Sequence, residues 1–215
     1  CDVLWLPNVE SMYPFGVDLA SRVHVPGVSA VLEGACRPGH FDGVCTVVSR
    51  LFHQVLPDLA AFGRKDYQQL AVIRQLVADL HFPIQIIGGA IVREADGLAM
   101  SSRNQYLGPD ERPRAAVIHQ VLQAMRQAHL DGAPRTALEA QAGTQLQAAG
   151  FLVDYAALRR PDLSVPDEGE AGPNGADQIT GGGQQGRILP EGLPDESLDS
   201  VASHRIAGFA LHTDA

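Results

Sequence analysis

The 215-residue sequence has almost no lysine: of its 16 basic residues, 15 are arginine and Lys65 is the exception. Basic charge is not in excess, because the formal net charge is −9, and this argues against a general nucleic-acid binder, which needs a basic face. No apolar run approaches the roughly 20 residues that a membrane-spanning helix requires. Three cysteines without a Cys-x-x-Cys spacing give neither a disulfide framework nor a zinc site, and a reducing compartment is the default expectation.

The negative charge is concentrated near the end of the chain. Residues 161–200 hold nine acidic residues and one basic residue, Arg187, together with eight glycines and five prolines. Such a stretch has too few large apolar side chains to offset the entropy cost of ordering its backbone. We therefore expect 161–215 to be a mostly disordered acidic tail. Its glycine run, 181–186, is interpreted as linker because a phosphate loop would need Gly-Lys-[Ser/Thr].

The first part of the chain alternates between strand and helix patterns. Strand, helix, strand, helix, strand in this order predicts parallel pairing in a Rossmann-like sheet, hence an α/β fold. The predicted elements are strand 3–6, a helix capped by Asp42 with Cys45 in its core, strand 59–62, helix 66–80, and strand 84–87 ended by Gly88 and Gly89.

A smaller α+β region follows. Helical spacing predicts one helix from Asp110 or Glu111 to His129 and a second from Arg135 to Ala149, which Gly150 closes. A strand is expected over 151–158. We divide the chain into a partial nucleotide-binding domain over 1–91, a C-terminal domain over 92–160 and the tail over 161–215.

Two polar segments follow predicted strands, where open parallel sheets bind ligands. In the first, Gly63 allows close backbone approach, and Lys65, Asp66 and Gln69 lie at a helix start that favours phosphate. The alternative is that Asp66 only caps the helix and that Lys65 is a solvated charge. The second segment, 92–104, offers two serines beside Arg103, which suits a triphosphate, or else it is a polar loop in which Arg93 pairs with Glu94 or Asp96.

A third segment is the Pro/Gly loop 32–41. There Arg37 and His40 could face a ligand, although a structural role for His40 in holding the loop backbone is favoured. The other histidines form no metal-ligand spacing, so no metal site is expected in this chain.

At these residues the sequence resembles the pantoate–β-alanine ligase (pantothenate synthetase) family. The matching strings are SMYP at 11–14, LEGACRPGHFDGVCTVV at 32–48, FGRKDYQQLAVIRQLVADL at 62–80 and VREADGLAMSSRNQYL at 92–107. The resemblance implies a nucleotidyltransferase-like Rossmann enzyme with a smaller C-terminal domain, usually a cytoplasmic dimer. It implies a ligation that needs ATP and Mg²⁺: pantoate forms pantoyl adenylate with release of pyrophosphate, and β-alanine then displaces AMP. No nucleic acid or membrane partner is implied.

The resemblance also assigns roles to residues. Lys65, Ser101 and Arg103 are similar to the family's phosphate contacts and are the expected catalytic residues. Ser102 is expected to bind ATP as well, and Gly63 and Asp66 are similar to the family's ribose contacts. The remaining assignments are Val92 and Met100 around the adenine, Gln69 on pantoate, Val47, Val48 and Leu51 as an apolar wall for pantoate, and Arg37 as a flexible-loop contact.

The sequence departs from the family pattern at both ends. The chain begins with Cys1 rather than Met, and it lacks the family's opening motif PTMGxLHxGH, the segment with the second pantoate glutamine and the acidic metal-site segment. We therefore expect a processed chain or fragment without the first sheet strands, and a poor catalyst of low solubility or altered oligomeric state. A lipidated Cys1 is an alternative for the start. Arg64 replaces the usual Glu, Ala90-Ile91 replaces Pro-Thr, and the acidic tail replaces the closing strands.

Three functional interpretations follow. The first is an incomplete pantoate–β-alanine ligase. The second is a non-catalytic remnant that binds nucleotide weakly through Lys65, Ser101 and Arg103 or acts through its acidic tail. The third is an adenylate-forming enzyme on the same fold that uses a different acid.

Overall fold

The computed structural model describes residues 2–168 in full and the backbone of 180–188 and 205–206. The chain divides into two compact units. Unit 1 comprises Cys1–Ala61 and Ala71–Ile87, and unit 2 comprises Phe62–Leu70 and Gly88–Ala215. The helices are α1 (Val9–Met12), α2 (Glu33–Cys36), α3 (His40–Val55), α4 (Tyr67–Asp79), α5 (Glu111–Leu130) and α6 (Arg135–Ala148). The strands are β1 (Leu59–Gly63), β2 (Gln85–Gly89), β3 (Phe151–Arg159), β4 (Thr180–Ile188) and β5 (Arg205–Ile206).

Strands β1 and β2 pair in a two-stranded parallel sheet and are joined through α4 as a β–α–β unit. This confirms the predicted α/β class. Gly88 and Gly89 lie inside β2 rather than after it, because the ladder continues for two residues past the apolar run. Helix α4 begins one residue later than predicted, since Arg64–Asp66 form a separate 3-10 turn.

The predicted strand at 3–6 is wrong. Residues 2–8 have no regular secondary structure, and no ladder among the described residues includes 3–6. The side chains of Val3, Leu4 and Leu6 are 73–80% exposed. An apolar run becomes a buried strand only when a neighbouring strand pairs with it and a layer covers its side chains; no strand of the described residues pairs with 3–6, and its side chains stay exposed.

Helix α3 carries the core side chains of the first part of unit 1. Phe41, Cys45, Val48 and Phe52 are buried on one face. Burial, and then the Asp42 charge, raise the pKa of the Cys45 thiol to about 11, as suits a core residue. The predicted Asp42 cap is wrong: the helix begins at His40 after left-handed Gly39, and the Asp42 carboxylate lies instead 2.8 Å from Nδ1 of His24.

Unit 2 contains a three-stranded antiparallel sheet of order β3-β4-β5, with Phe151 opposite Ile188 and Leu158 opposite Gly181. Helix α6 packs on β3 and on α5. The predicted helices and strand agree with α5, α6 and β3 to within one residue at each end, and Gly150 has the expected positive φ of +87°. The core of this unit comprises Leu98, Ala99, Ala115, Ile118, Val121, Leu122, Met125, Leu138, Ala142, Leu146, Phe151 and Leu158.

The predicted tail is only partly described. Residues 161–163 form a turn, and the Tyr67 hydroxyl donates to the Pro161 carbonyl at 3.0 Å. The glycine run that we interpreted as linker lies in β4, where backbone pairing with β3 requires no side chain. Residues 169–179, 189–204 and 207–215 lie outside the described residues. The disorder expected there and the domain boundaries at 91 and 160 stay predictions.

Candidate functional site

The first predicted segment turns from β1 into α4 inside unit 2. Gly63 ends β1 in extended conformation, and a Cβ built on it would meet nothing closer than 4.0 Å, so the space above this residue is open. Lys65 Nζ donates to Asp66 Oδ1 at 3.1 Å, with side chains 19% and 43% exposed. Lys65 is therefore a half-buried, paired cation rather than a solvated charge.

The two glutamines that follow differ in exposure. Gln68 is 9% exposed and belongs to the buried side of the helix, whereas Gln69 is half-buried. Gln69 is therefore the glutamine of this pair that retains access to a small ligand. Tyr67 is also buried, and its hydrogen bond to Pro161 fixes the start of α4.

The second predicted segment begins with a short hairpin, 93–99. Arg93 and Ala99 form its antiparallel bridge, and next to them Met100 N donates to the Val92 carbonyl at 2.8 Å. Directly opposed residues project to the same face of an antiparallel pair. Val92 and Met100 are therefore side by side, and they are 64% and 52% exposed. The structure thus brings together the two residues that the resemblance places around the adenine.

A 3-10 turn, Ser102–Tyr106, follows this apolar pair at once. Ser101 is the N-cap of this turn. The Ser101 Oγ accepts from the Arg103 amide at 3.2 Å, and the Ser101 carbonyl accepts from the Asn104 amide at 3.0 Å. The hydroxyl proton of Ser101 is not used in either bond, so it can be donated to a phosphate oxygen. Ser102 and Arg103 are exposed. The segment presents hydroxyl, amide and guanidinium donors within three residues, which suits a polyphosphate.

Arg93 Nη1 donates to the Gly97 carbonyl at 3.0 Å, and burial lowers the pKa of this guanidinium. Asp96 forms a two-point ion pair with Arg112 of α5, in which Nη2 lies 3.2 Å from Oδ1. The hydrogen bond from Arg112 is the main reason that the pKa of Asp96 is below its usual value. Spacing along the hairpin could not have indicated a partner 16 residues away.

The remaining candidates lie in unit 1. On α3, Val48 is 9% exposed, while Val47 and Leu51, one turn apart, are half-buried. Arg37 Nη1 donates to Glu33 Oε1 at 2.5 Å and lies 3.3 Å from His40 Nε2. The His40 side chain thus contacts a charged side chain, a partner that the favoured backbone role did not anticipate. The nucleotide set and Gln69 share unit 2, whereas Val47, Val48, Leu51 and Arg37 belong to unit 1.

Asn104 was not singled out from the sequence. Its Nδ2 donates to the Ala99 carbonyl at 3.0 Å, across the whole Met100–Arg103 segment. The sequence signal that could have found it is an asparagine directly after the Ser-Ser-Arg run, because asparagine side chains often hydrogen-bond to nearby backbone groups.

Neither a metal cluster nor a membrane span is found in the described part of the chain. Within residues 2–168, no group of three or more His, Cys, Asp or Glu side chains is arranged to hold a metal ion. Over the same residues, every helix is too short or too polar to cross a bilayer.

Comparison with known proteins covers most of the chain, with matches over about 80% of its residues. The chain is 68% identical over 173 residues to pantothenate synthetase of Xanthomonas campestris pv. campestris (strain B100), a match that covers 80% of this chain and 61% of the relative. It is 67% identical over 172 residues to pantothenate synthetase of Xanthomonas oryzae pv. oryzae (strain MAFF 311018), with the same two coverages. The chain therefore spans about three fifths of the length of these relatives.

Solved structures agree. The crystal structure of pantothenate synthetase from Thermus thermophilus matches with a TM-score of 0.74 and 44% identity, over 85% of this chain and 64% of that one. Pantoate-beta-alanine ligase from Francisella tularensis, complexed with beta-gamma ATP and beta-alanine, matches with a TM-score of 0.62 and 26% identity, over 83% and 57%. The family model described as pantoate-beta-alanine ligase matches residues 1–177, and the chain belongs to that family.

Proposed function

We propose that this chain takes part in the ATP-dependent condensation of pantoate with β-alanine. The observation that carries the proposal is the exposed Val92–Met100 pair, which leads directly into the donor-rich Ser101–Arg103 segment in the same unit as Lys65. An apolar platform followed by phosphate donors matches the two halves of a nucleotide. The Francisella tularensis relative, which is complexed with beta-gamma ATP and beta-alanine, supports the choice of substrates.

The reaction proceeds in two displacements. A pantoate carboxylate oxygen attacks the α-phosphorus of ATP, the bond to the β-phosphate oxygen breaks, and pyrophosphate leaves with pantoyl adenylate formed. The β-alanine amine then attacks the acyl carbon, loses a proton, and expels AMP as the amide bond forms. Both steps gain from holding the reactants together and from stabilising the negative charge that develops on phosphate oxygens.

The candidate site residues of unit 2 each have a role in this reaction. Lys65 and Arg103 neutralise phosphate charge, and the Ser101 and Ser102 hydroxyls donate to phosphate oxygens. Val92 and Met100 contact the adenine faces, and Gly63 and Asp66 contact the ribose, for which the open space above Gly63 leaves room. Gln69 offers an amide to pantoate. The roles of Val47, Val48 and Leu51 against the pantoate methyl groups, and of Arg37 as a loop contact, rest on the family resemblance.

The described residues do not offer a protein cage for Mg²⁺. In phosphate chemistry this ion keeps several waters and binds through the substrate's phosphates. We propose that it enters with ATP as the magnesium complex, and no step here depends on a protein ligand to it. We also propose a cytoplasmic homodimer, as in the family.

The test has a binding arm and a turnover arm. Calorimetry with Mg-ATP should show binding that Lys65→Ala and Arg103→Ala each weaken roughly tenfold or more, because each removes a charge-assisted contact. Arg74→Ala, on the exposed face of α4, loses the same charge and should bind ATP as the unmodified chain does. AMP release should require both pantoate and β-alanine and fall with Lys65→Ala.

Three outcomes would count against the proposal. An ATP affinity that neither Lys65→Ala nor Arg103→Ala changes would show that these residues do not bind the phosphates. Binding without any pantoate-dependent AMP would favour a non-catalytic nucleotide-binding role for this chain. AMP release that another carboxylic acid supports better than pantoate would indicate a different adenylate-forming enzyme. The slow turnover expected from the sequence is measured in the same assay.

A further inference from the structure

Asn104 lies immediately after the proposed phosphate contacts and bonds back across them. Its side-chain amide donates to the Ala99 carbonyl at 3.0 Å, and its backbone amide donates to the Ser101 carbonyl at 3.0 Å. The four residues between donor and acceptor, Met100–Arg103, are the ones assigned to adenine and phosphate. One side chain therefore closes the loop that carries those contacts.

The acceptor of this bond is held in place by the core. Ala99 and its neighbour Leu98 are each 1% exposed and belong to the cluster that includes Ile118 and Leu122 of α5. A carbonyl on a residue so enclosed has little freedom to move, because protein interiors are close-packed. Asn104 thus ties a loop with exposed side chains to a fixed point of the backbone.

The hairpin that presents this acceptor is itself anchored. The two-point ion pair between Asp96 and Arg112 joins its tip to α5, and Arg93 donates to the Gly97 carbonyl within the hairpin. Gly97 has a φ of +89°, and a Cβ on it would lie 2.6 Å from Cδ2 of His119, so the hairpin tip lies tightly against α5. These contacts hold the hairpin that carries Ala99 against α5.

We propose that Asn104 is a positioning residue for the nucleotide: it holds the phosphate contacts Ser101–Arg103 in their binding geometry before ATP arrives. This inference rests on the proposed function. A preorganised loop avoids the entropy cost of ordering its side chains on binding, so ATP affinity depends on a residue that does not touch ATP. A purely structural role would instead lower the stability of the whole chain.

The test compares Asn104→Ala with Gln105→Ala, an exposed neighbour in the same 3-10 turn. In the nucleotide-free chain, amide hydrogen exchange at Ser101–Asn104 should be about fivefold faster in Asn104→Ala, which is the scale of one lost hydrogen bond. The melting temperature and the exchange of α5 amides should stay unchanged. Mg-ATP should bind about three- to tenfold more weakly, and adenosine, which lacks phosphates, should lose much less.

Each arm can overturn the inference on its own. Unchanged exchange at Ser101–Asn104 would overturn it whether or not the chain binds ATP. Faster exchange with equal loss of ATP and adenosine affinity, or with a large drop in melting temperature, would show a general structural role. Absence of ATP binding by the unmodified chain would contradict the proposed function, while the exchange arm still decides whether Asn104 orders the loop. If Asn104→Ala does not fold, Asn104→Ser provides the same comparison with a smaller change.

Discussion

The stretch 2–21 and the body formed by α5, α6 and β3 are both rich in apolar residues, yet they are buried to opposite extents. In the first, large side chains such as Leu6 and Phe15 are 77% and 81% exposed, and Met12 is the one buried residue, at 6%. In the second, Leu122 and Leu146 are at most 1% exposed and belong to one continuous cluster. Hydrophobic content is therefore not enough for burial; an element must also present a face that another element covers.

Polar contacts hold the first stretch instead. Trp5 Nε1 donates to Gln54 Oε1 at 3.1 Å, and Arg50 donates to the Met12 and Ser21 carbonyls at 2.9 and 3.2 Å. The Arg50 guanidinium carbon also lies 4.3 Å from the centre of the Tyr13 ring, a cation–π contact. A few hydrogen bonds and one cation–π contact thus hold most of the stretch 2–21 in place, whereas apolar packing holds α5, α6 and β3.

The largest expected effect comes from the buried side of this comparison. Leu146→Ala should lower the free energy of unfolding by about 2–5 kcal/mol, because it removes a fully buried side chain and leaves a cavity. Leu6→Ala, the same chemical change at an exposed site, should alter it by less than about 0.5 kcal/mol. Urea denaturation of both variants measures the difference. Equal losses would mean that the stretch 2–21 packs into a core after all.

The comparison also explains where sequence-based prediction succeeded. Helices α5 and α6 and strand β3 agree with the predictions because each buries one face, and burial produces the spacing that the sequence shows. The prediction of a strand at 3–6 was wrong because this apolar run looks like a buried strand in sequence, yet no other element covers its side chains. Helix α3 was found, but its start was misplaced, since the Asp42 carboxylate interacts with His24 across 18 residues.

The candidate site divides in the same way. The motif strings pointed to Lys65, Ser101 and Arg103, because a local run of residue types is enough to suggest phosphate chemistry. The groups that hold those strings in place were not predictable, because they act over distance: Arg112 reaches Asp96, and Tyr67 reaches Pro161 across 94 residues. Contacts of this kind depend on the fold as a whole and leave no mark on the local pattern.

A second prediction sharpens the polar side of the comparison. Arg50→Ala should loosen residues 12–21, since a hydrogen bond from a charged donor contributes up to about 1.5–3 kcal/mol net, and less where solvent reaches it. We expect chymotrypsin to cleave after exposed Phe15 roughly tenfold faster, with a much smaller change in the urea midpoint. Arg74→Ala, which loses the same charge from α4, provides the control. Cleavage at an unchanged rate would show that Arg50 does not restrain the stretch.

The smallest expected effect is a pH dependence from the packed body. Burial, and then the Arg93 charge, lower the pKa of His119 from its ordinary value of 6.5, and its Nδ1 is buried without a hydrogen-bond partner among the described residues. As the pH falls below 6.5, the unfolded chain takes up a proton that the folded chain resists, so stability is full above this value and declines toward the lower folded pKa.

Replacing this histidine should flatten that decline. His119→Phe keeps a ring against Gly97 and removes the titrating group, so its unfolding free energy between about pH 7.5 and about pH 5 should fall less than that of the unmodified chain. Gln120→Ala, on the exposed face of α5, changes no titrating group and should follow the unmodified profile. Urea denaturation at several pH values measures all three. Parallel profiles for His119→Phe and the unmodified chain would show that His119 is not the source of the acid sensitivity.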